Sequence, residues 1–242
     1  MRNIRAVCAF AGTAYHGFQR QNNSVAVQNV IEDCLSRLTG QKTVINGCSR
    51  TDTGVHANEY CFSFVTQSHI PCRNIVSGMN CFLPRDIALY SAEEAPEDFH
   101  ARYSCKGKEY IYLIENVPVL SPFKADRAFH YPYPFDEKRA DEEIRALLGR
   151  HDFTSFCGAL GVKDNMERLI DGAEVTRAGG TVTVRISGDG FLYNMVRIIC
   201  GTLIYINEGR ISSMREVLEA RDRSRAGITA PPQGLYLDRV FY

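Results

Sequence analysis

The segment Gly47-Cys48-Ser49-Arg50-Thr51-Asp52-Thr53-Gly54-Val55-His56-Ala57 carries a carboxylate, a guanidinium, hydroxyls, an imidazole and two glycines, with no hydrophobic period. Such a pattern builds neither an amphipathic helix nor a half-buried strand. The chain must therefore pass through it as a loop. A short strand-like run, Lys42 to Ile45, precedes it, and another, Tyr60 to Thr66, follows. A polar loop held between two strands is a place where an acidic side chain can be fixed rigidly. It is also a place for an ordinary polar turn, and the loop residues alone do not separate the two.

Around this loop the chain alternates strand and helix signals. Ile4 to Gly12 reads as an opening strand. Ser24 is a candidate N-cap for a helix with apolar Val27, Val30, Ile31, Cys34, Leu35 and Leu38, closed at Gly40. A helix is predicted after Pro71 and a strand over Ile87 to Ser91. Arg102 to Glu115 reads as a strand with Tyr110 and Tyr112 on one face and Ile111 and Leu113 on the other. Prolines 118, 122, 132 and 134 follow. This shift in composition places a domain division near residues 102 to 106, giving an N-terminal half over 1–103 and a C-terminal half over 104–242. Beyond it, a short helix is expected over Asp141 to Gly149 and two strands over Ala173 to Ile186, turning at Ala178-Gly179-Gly180. Phe191 to Asn207 should be the longest apolar helix, Ser212 should cap a last helix through Ala220, and Leu235 to Tyr242 should be a closing strand. Interleaved helices and hairpins predict an α+β class with mostly antiparallel pairing. No internal repeat is visible by inspection.

Composition narrows the chemistry. At 242 residues the chain can bury a sizeable core as one large domain or two small ones. Lys plus Arg and Asp plus Glu are 28 each, which excludes a strongly basic tail but permits a basic cleft beside acidic outer faces. The nine cysteines include no Cys-x-x-Cys pair and read mostly as small core hydrophobes. With Arg2 and Arg5 interrupting the start, no secretory signal is read, and reduced thiols in a cytoplasm are expected. No apolar run has the length of a membrane span. The six histidines lack metal-ligand spacing. Gly-x-Gly-x-x-Gly, P-loop and Gly-x-Ser-x-Gly signatures are missing. Metal-free, cofactor-free chemistry centred on Asp52 remains.

An ionised aspartate in a partly closed site requires a cation. The best candidate is Arg197, set among Met195, Val196, Ile198 and Ile199. A buried arginine needs a carboxylate partner, although a snorkelling arginine paired with any surface acid fits the same pattern. Tyr110 reads as a core or edge aromatic, or as a ring that stacks on an extruded base. The loop Tyr15-His16-Gly17-Phe18-Gln19-Arg20-Gln21 suits phosphate or ribose contact, or an ordinary connection.

Taken together, Arg50-Thr51-Asp52-Thr53-Gly54-Val55-His56-Ala57 and the Tyr15 to Gln21 loop resemble motifs of the bacterial tRNA pseudouridine synthase A family. So do Leu83-Pro84-Arg85-Asp86-Ile87, Phe99-His100-Ala101-Arg102 and Lys108-Glu109-Tyr110-Ile111-Tyr112. His151-Asp152-Phe153-Thr154-Ser155-Phe156, Phe191 to Arg197 and Ala230-Pro231-Pro232-Gln233-Gly234-Leu235 follow in the family's order. The resemblance implies isomerisation of uridine to pseudouridine at positions 38, 39 and 40 of the tRNA anticodon arm. It implies Asp52 as nucleophile, Arg197 as its salt-bridge partner and Tyr110 as the aromatic on the target uracil. Arg50, Thr51, His56, Gln19 and Arg20 become candidate substrate contacts. It further implies two similar α/β halves whose mostly antiparallel sheets join into one extended sheet, with the active-site cleft between the halves. A cytoplasmic homodimer acting on tRNA is implied, with no metal, no cofactor and no membrane partner. The reaction is redox-neutral, in keeping with the missing cofactor motifs. The chain departs from the family pattern at Ser49 and Thr53, small replacements that should be tolerated, at Phe18, which keeps an aromatic surface, and at Asn58-Glu59-Tyr60, which predicts altered local RNA contacts. Two other readings fit less well: an RNA-binding protein that does not modify RNA, for which the trio Asp52, Tyr110 and Arg197 is unneeded, and an aspartate-dependent hydrolase, for which no oxyanion or metal device is evident.

Overall fold

In a computed structural model, which describes residues 1–161 and 164–242, the first strand-like run forms β1 (Arg2–Phe10). Its buried side chains alternate, with Ile4, Ala6, Cys8 and Phe10 turned inward. The backbone groups into two units, Met1–Lys106 with Leu237–Tyr242, and Gly107–Tyr236.

In the first unit β1 is followed by α1 (Val27–Thr39), β2 (Asn46–Gly47), β3 (His56–Thr66), α2 (Cys72–Phe82) and β4 (Ile87–Ala95). Strand β1 pairs antiparallel with β3 on one side and β4 on the other, and β2 pairs antiparallel with β3. Ile31 and Leu35 of α1, Ile75 and Met79 of α2, and Tyr60, Phe62 and Phe64 of β3 fill the core. Gly40 closes α1 at φ 70°, as its position predicts.

Three expectations for this unit are corrected. Ser24 does not cap α1. Ala26 holds that position, with the Asn29 side chain accepting its N–H at 3.3 Å. Residues 42–45 are not a strand, because their amides are spent on α1 side chains. The Thr43 N–H donates to Ser36 Oγ (3.0 Å) and the Ile45 N–H to the Glu32 carboxylate (3.0 Å). Residues 102–106 are likewise not a strand, since a turn held by the Ser104 N–H on the His100 carbonyl (2.9 Å) precedes the next one.

The second unit runs β5 (Gly107–Glu115), β6 (Phe129–His130), α3 (Glu137–Ile144), β7 (Gly149–Asp152), β8 (Glu167–Ala178), β9 (Thr181–Gly188), α4 (Met195–Asn207) and α5 (Met214–Ala220). Strand order is β5–β9–β8–β7, all antiparallel, with β6 added parallel to β5. The β8–β9 hairpin turns at Gly179-Gly180, as expected. Tyr110 and Tyr112 share the inward face of β5. Helix α3 starts earlier than expected because Asp136 caps it, accepting the N–H groups of Lys138 and Arg139 (3.1 and 3.0 Å). Asp141 instead accepts the Val175 N–H of β8 (2.8 Å), and that bond holds its carboxyl below the usual range. Helix α4 begins at Met195 rather than Phe191, and Ser213, not Ser212, caps α5 by accepting the Glu216 N–H.

The closing strand β10 (Leu235–Phe241) lies beside β3. Within the first unit its end is tied by Asn58 Nδ2 to Asp238 Oδ1 (2.6 Å) and by the Tyr242 hydroxyl to the Ala101 carbonyl (2.7 Å). Cys8, Cys34, Cys48, Cys61, Cys157 and Cys200 are buried. Burial pushes the Cys8, Cys61 and Cys200 thiols up, which keeps them protonated and inert as packing groups.

Candidate active site

Strand β3 starts at His56, so the polar loop occupies residues 48–55. Its entry is fixed where the Cys48 N–H donates to the Cys61 carbonyl (2.9 Å). The Tyr60 hydroxyl then clasps Ser49, donating to its carbonyl and accepting its N–H. Tyr60 itself stacks on Phe18 with ring centroids 4.0 Å apart and meets Phe10 at 5.5 Å. An aromatic cluster thus underlies the loop. Its turn closes with the Val55 N–H on the Asp52 carbonyl (3.1 Å), leaving the Asp52 side chain half-buried.

The other wall of the loop is the segment from Gly12 to Phe18. The Gly54 N–H donates to the Tyr15 carbonyl (3.3 Å), and the Gly12 N–H to His56 Nδ1 (3.0 Å). An accepting Nδ1 carries no proton, so His56 is the neutral Nε2–H imidazole. Backbones approach so closely here that a Cβ on Gly12 would lie 1.9 Å from the Val55 carbonyl oxygen. One on Gly17, at φ +79°, would lie 2.2 Å from that of Thr51. Gly12→Ala is therefore expected to destabilise the protein by about 2 kcal/mol and lower its melting temperature by roughly 4–8 °C. Differential scanning calorimetry that finds an unchanged melting temperature would contradict this contact.

The predicted contacts fall into two groups. His56 is 1 % exposed, and the Thr51 hydroxyl oxygen is buried with no hydrogen-bond partner among the described residues. The His56 ring and the Thr51 hydroxyl are thus turned inward, although Thr51 as a whole is, like Asp52, half-buried. Gln19, Arg20 and Arg50 are exposed, with the Arg20 guanidinium paired to the Glu32 carboxylate of α1. Beside them the Tyr15 hydroxyl donates to Asp86 Oδ1 (2.8 Å), and burial pushes its pKa up. The departures at Phe18, Asn58 and Tyr60 serve the fold: the first and last stack together, and Asn58 bonds Asp238.

In the second unit Tyr110 is buried on β5 and meets Phe191 edge-on, with centroids 5.0 Å apart. Its same-face neighbour Tyr112 donates its hydroxyl to the Pro231 carbonyl (2.8 Å), and burial pushes that hydroxyl's pKa well up. Arg197, in the first turn of α4, donates Nε to the Ala230 carbonyl (2.8 Å) and Nη1 to Asn194 Oδ1 (2.9 Å). The Ala230 N–H returns a bond to the Arg197 carbonyl (3.1 Å). The stretch Ala230-Pro231 thereby ties Arg197 of α4 to Tyr112 of β5, two residues from Tyr110. Sequence reasoning gave no role to Phe10, Gly12, Tyr112, Asn194 or Ala230. Gly12, like Gly17, was visible as a residue, but the close backbone approach that requires each glycine is a tertiary fact.

Among the described residues no group of three or more His, Cys, Asp or Glu side chains is placed to hold a metal ion, and no helix is long and apolar enough to cross a membrane. The first unit thus presents a carboxylate on a rigid loop, an arrangement suited to nucleophilic or general-base catalysis. The model of a family described as tRNA pseudouridine synthase matches residues 6–104 and again 144–242, so similar halves exist although inspection of the sequence shows no repeat. The chain is 43 % identical over 245 residues to tRNA pseudouridine synthase A of Ruminiclostridium cellulolyticum, with each chain covered fully. Over the full length of both chains it is also 41 % identical to the enzyme of that name from Acetivibrio thermocellus and 40 % to that from Listeria monocytogenes. The chain belongs to the tRNA pseudouridine synthase family.

Proposed function

We propose that this protein isomerises uridine to pseudouridine at positions 38, 39 and 40 of the tRNA anticodon arm, using Asp52 and no metal or cofactor. The observation that carries this reading is the rigidly held Asp52 loop in a chain that its tRNA pseudouridine synthase relatives match from end to end. In the reaction the N1–C1′ bond breaks, the uracil turns, and a C5–C1′ bond forms. The proton on C5 is lost and N1 gains one, so atoms and electrons balance without a redox partner. Asp52 either adds to C1′ or removes a ribose proton to open an elimination route. Arg197 supplies the counter-charge that keeps the carboxylate ionised, and the Tyr110 ring packs on the uracil so that the detached base is retained.

Exposed Arg50, Arg20 and Gln19 are suited to contacts with the RNA backbone. Buried His56 and the inward-turned Thr51 hydroxyl act by shaping the loop. The protein works in the cytoplasm as a homodimer that presents one tRNA to both subunits. The direct test supplies tRNA carrying uridine labelled with tritium at C5. Label should be released into water and pseudouridine should appear in the anticodon arm on sequencing. Tight tRNA binding without label release would leave a binding protein instead.

A further inference from the structure

We propose that Asn194 is a positioning residue for this isomerisation, one that orients the Arg197 guanidinium toward its carboxylate partner. The proposal rests on the role of Arg197 given above. Asn194 occupies the N-cap position of α4, but with φ 60° and ψ 8° rather than extended backbone, and its side chain caps no helix N–H. An N-cap asparagine ordinarily sits in the β region and accepts the N–H of the second or third helical residue. Here that local bond is forgone, and Oδ1 accepts from Arg197 Nη1 at 2.9 Å instead.

The other non-glycine residue at positive φ among the described residues, Arg221, ends α5. A left-handed residue is routine at a helix C-terminus, whereas at an N-terminus it requires a separate reason. The bond to Arg197 supplies it. With Nε held by the Ala230 carbonyl (2.8 Å) and Nη1 by Asn194, two acceptors on different edges of a planar group fix its plane. Residues 193 and 194 are braced in turn by the Gly158 N–H on the Tyr193 carbonyl (2.8 Å). A Cβ at Gly158 would crowd Tyr193 Cδ1 at 2.7 Å and the Asn194 amide at 3.1 Å.

Three demands meet at this position. Left-handed backbone admits glycine, asparagine and aspartate most readily. The bond to Nη1 needs a side-chain acceptor, which removes glycine. An aspartate would pair with the guanidinium itself and compete with the catalytic carboxylate. Asparagine satisfies all three.

The test compares Asn194→Gly, Asn194→Ala, Arg197→Lys and Arg197→Ala by single-turnover rate at saturating enzyme, tRNA Kd and melting temperature. Both Asn194 variants should slow the chemical step alike, by roughly tenfold, with Kd changed less than about twofold. Melting should separate them, because alanine strains the left-handed backbone and glycine does not. In the Arg197→Lys background, Asn194→Gly should add less than about twofold, since lysine has no Nη1 to hold. A wild-type rate for Asn194→Gly beside a slow Asn194→Ala would overturn the proposal and leave the role of Arg197 standing. A wild-type rate for Arg197→Lys would overturn the proposal by showing that the charge alone suffices, and a wild-type rate for Arg197→Ala would overturn the role of Arg197 itself.

Discussion

Asp52→Ala is expected to reduce tritium release from C5-labelled tRNA by at least ~10⁴-fold, because it removes the group that attacks the sugar or takes its proton. Binding of tRNA should stay within a few-fold of wild type, since the carboxylate repels phosphate rather than attracting it. The loop should keep its shape: its turn closes through the Asp52 carbonyl on the Val55 N–H, and its entry is held by Cys48 and by Tyr60 clasping Ser49. None of these contacts uses the Asp52 side chain. Asp52→Asn, which keeps volume and removes charge, should be as inactive as alanine. Release within tenfold of wild type by either folded variant would place the catalytic carboxylate elsewhere.

Arg197→Lys should slow the chemical step by about 10²-fold while leaving the net charge unchanged. Lysine offers one mobile ammonium in place of a planar fork. Its single Nζ cannot stand at both the Nε and the Nη1 positions, so the bonds to the Ala230 carbonyl and Asn194 Oδ1 are lost or weakened, and the remaining charge points with less definition. Some stability should go as well, about 1 kcal/mol, because the Ala230 carbonyl is half of a reciprocal pair with α4. Single-turnover rates with tRNA Kd, beside thermal melts, would separate the catalytic loss from the structural one. A lysine variant that turns over like wild type would show that only the positive charge matters.

Much of the framework was legible because its causes are local. Gly40 closes α1, the glycine pair turns the β8–β9 hairpin, and alternation sets Tyr110 and Tyr112 on one face of β5. Where the sequence misled, distant groups had taken the backbone. Residues 42–45 look like a strand by composition, yet Ser36 and Glu32 on α1 accept the amides of Thr43 and Ile45. Phe191 to Asn194 looks like the first turn of an apolar helix, yet α4 waits until Met195 because Asn194 turns left-handed and bonds Arg197. A period of hydrophobicity carries no information about such long-range acceptors.

The polar loop, its aspartate, and the arginine and tyrosine in the later half were determined by the sequence itself, since residue type decides which chemistry is available and motif order decides kinship. Which side chains of the loop face inward was not. His56 and Thr51 lie within four residues of Asp52 in the chain and looked equally able to meet RNA. The close approach of Gly12 and Gly17 to Val55 and Thr51 draws the loop against its neighbouring segment, with the His56 ring bonded to Gly12. Packing is a property of segments far apart in the chain. Only the tertiary structure could decide that Asp52 stays half-buried on a loop held by the Gly12 to Phe18 segment, with the His56 ring enclosed behind it.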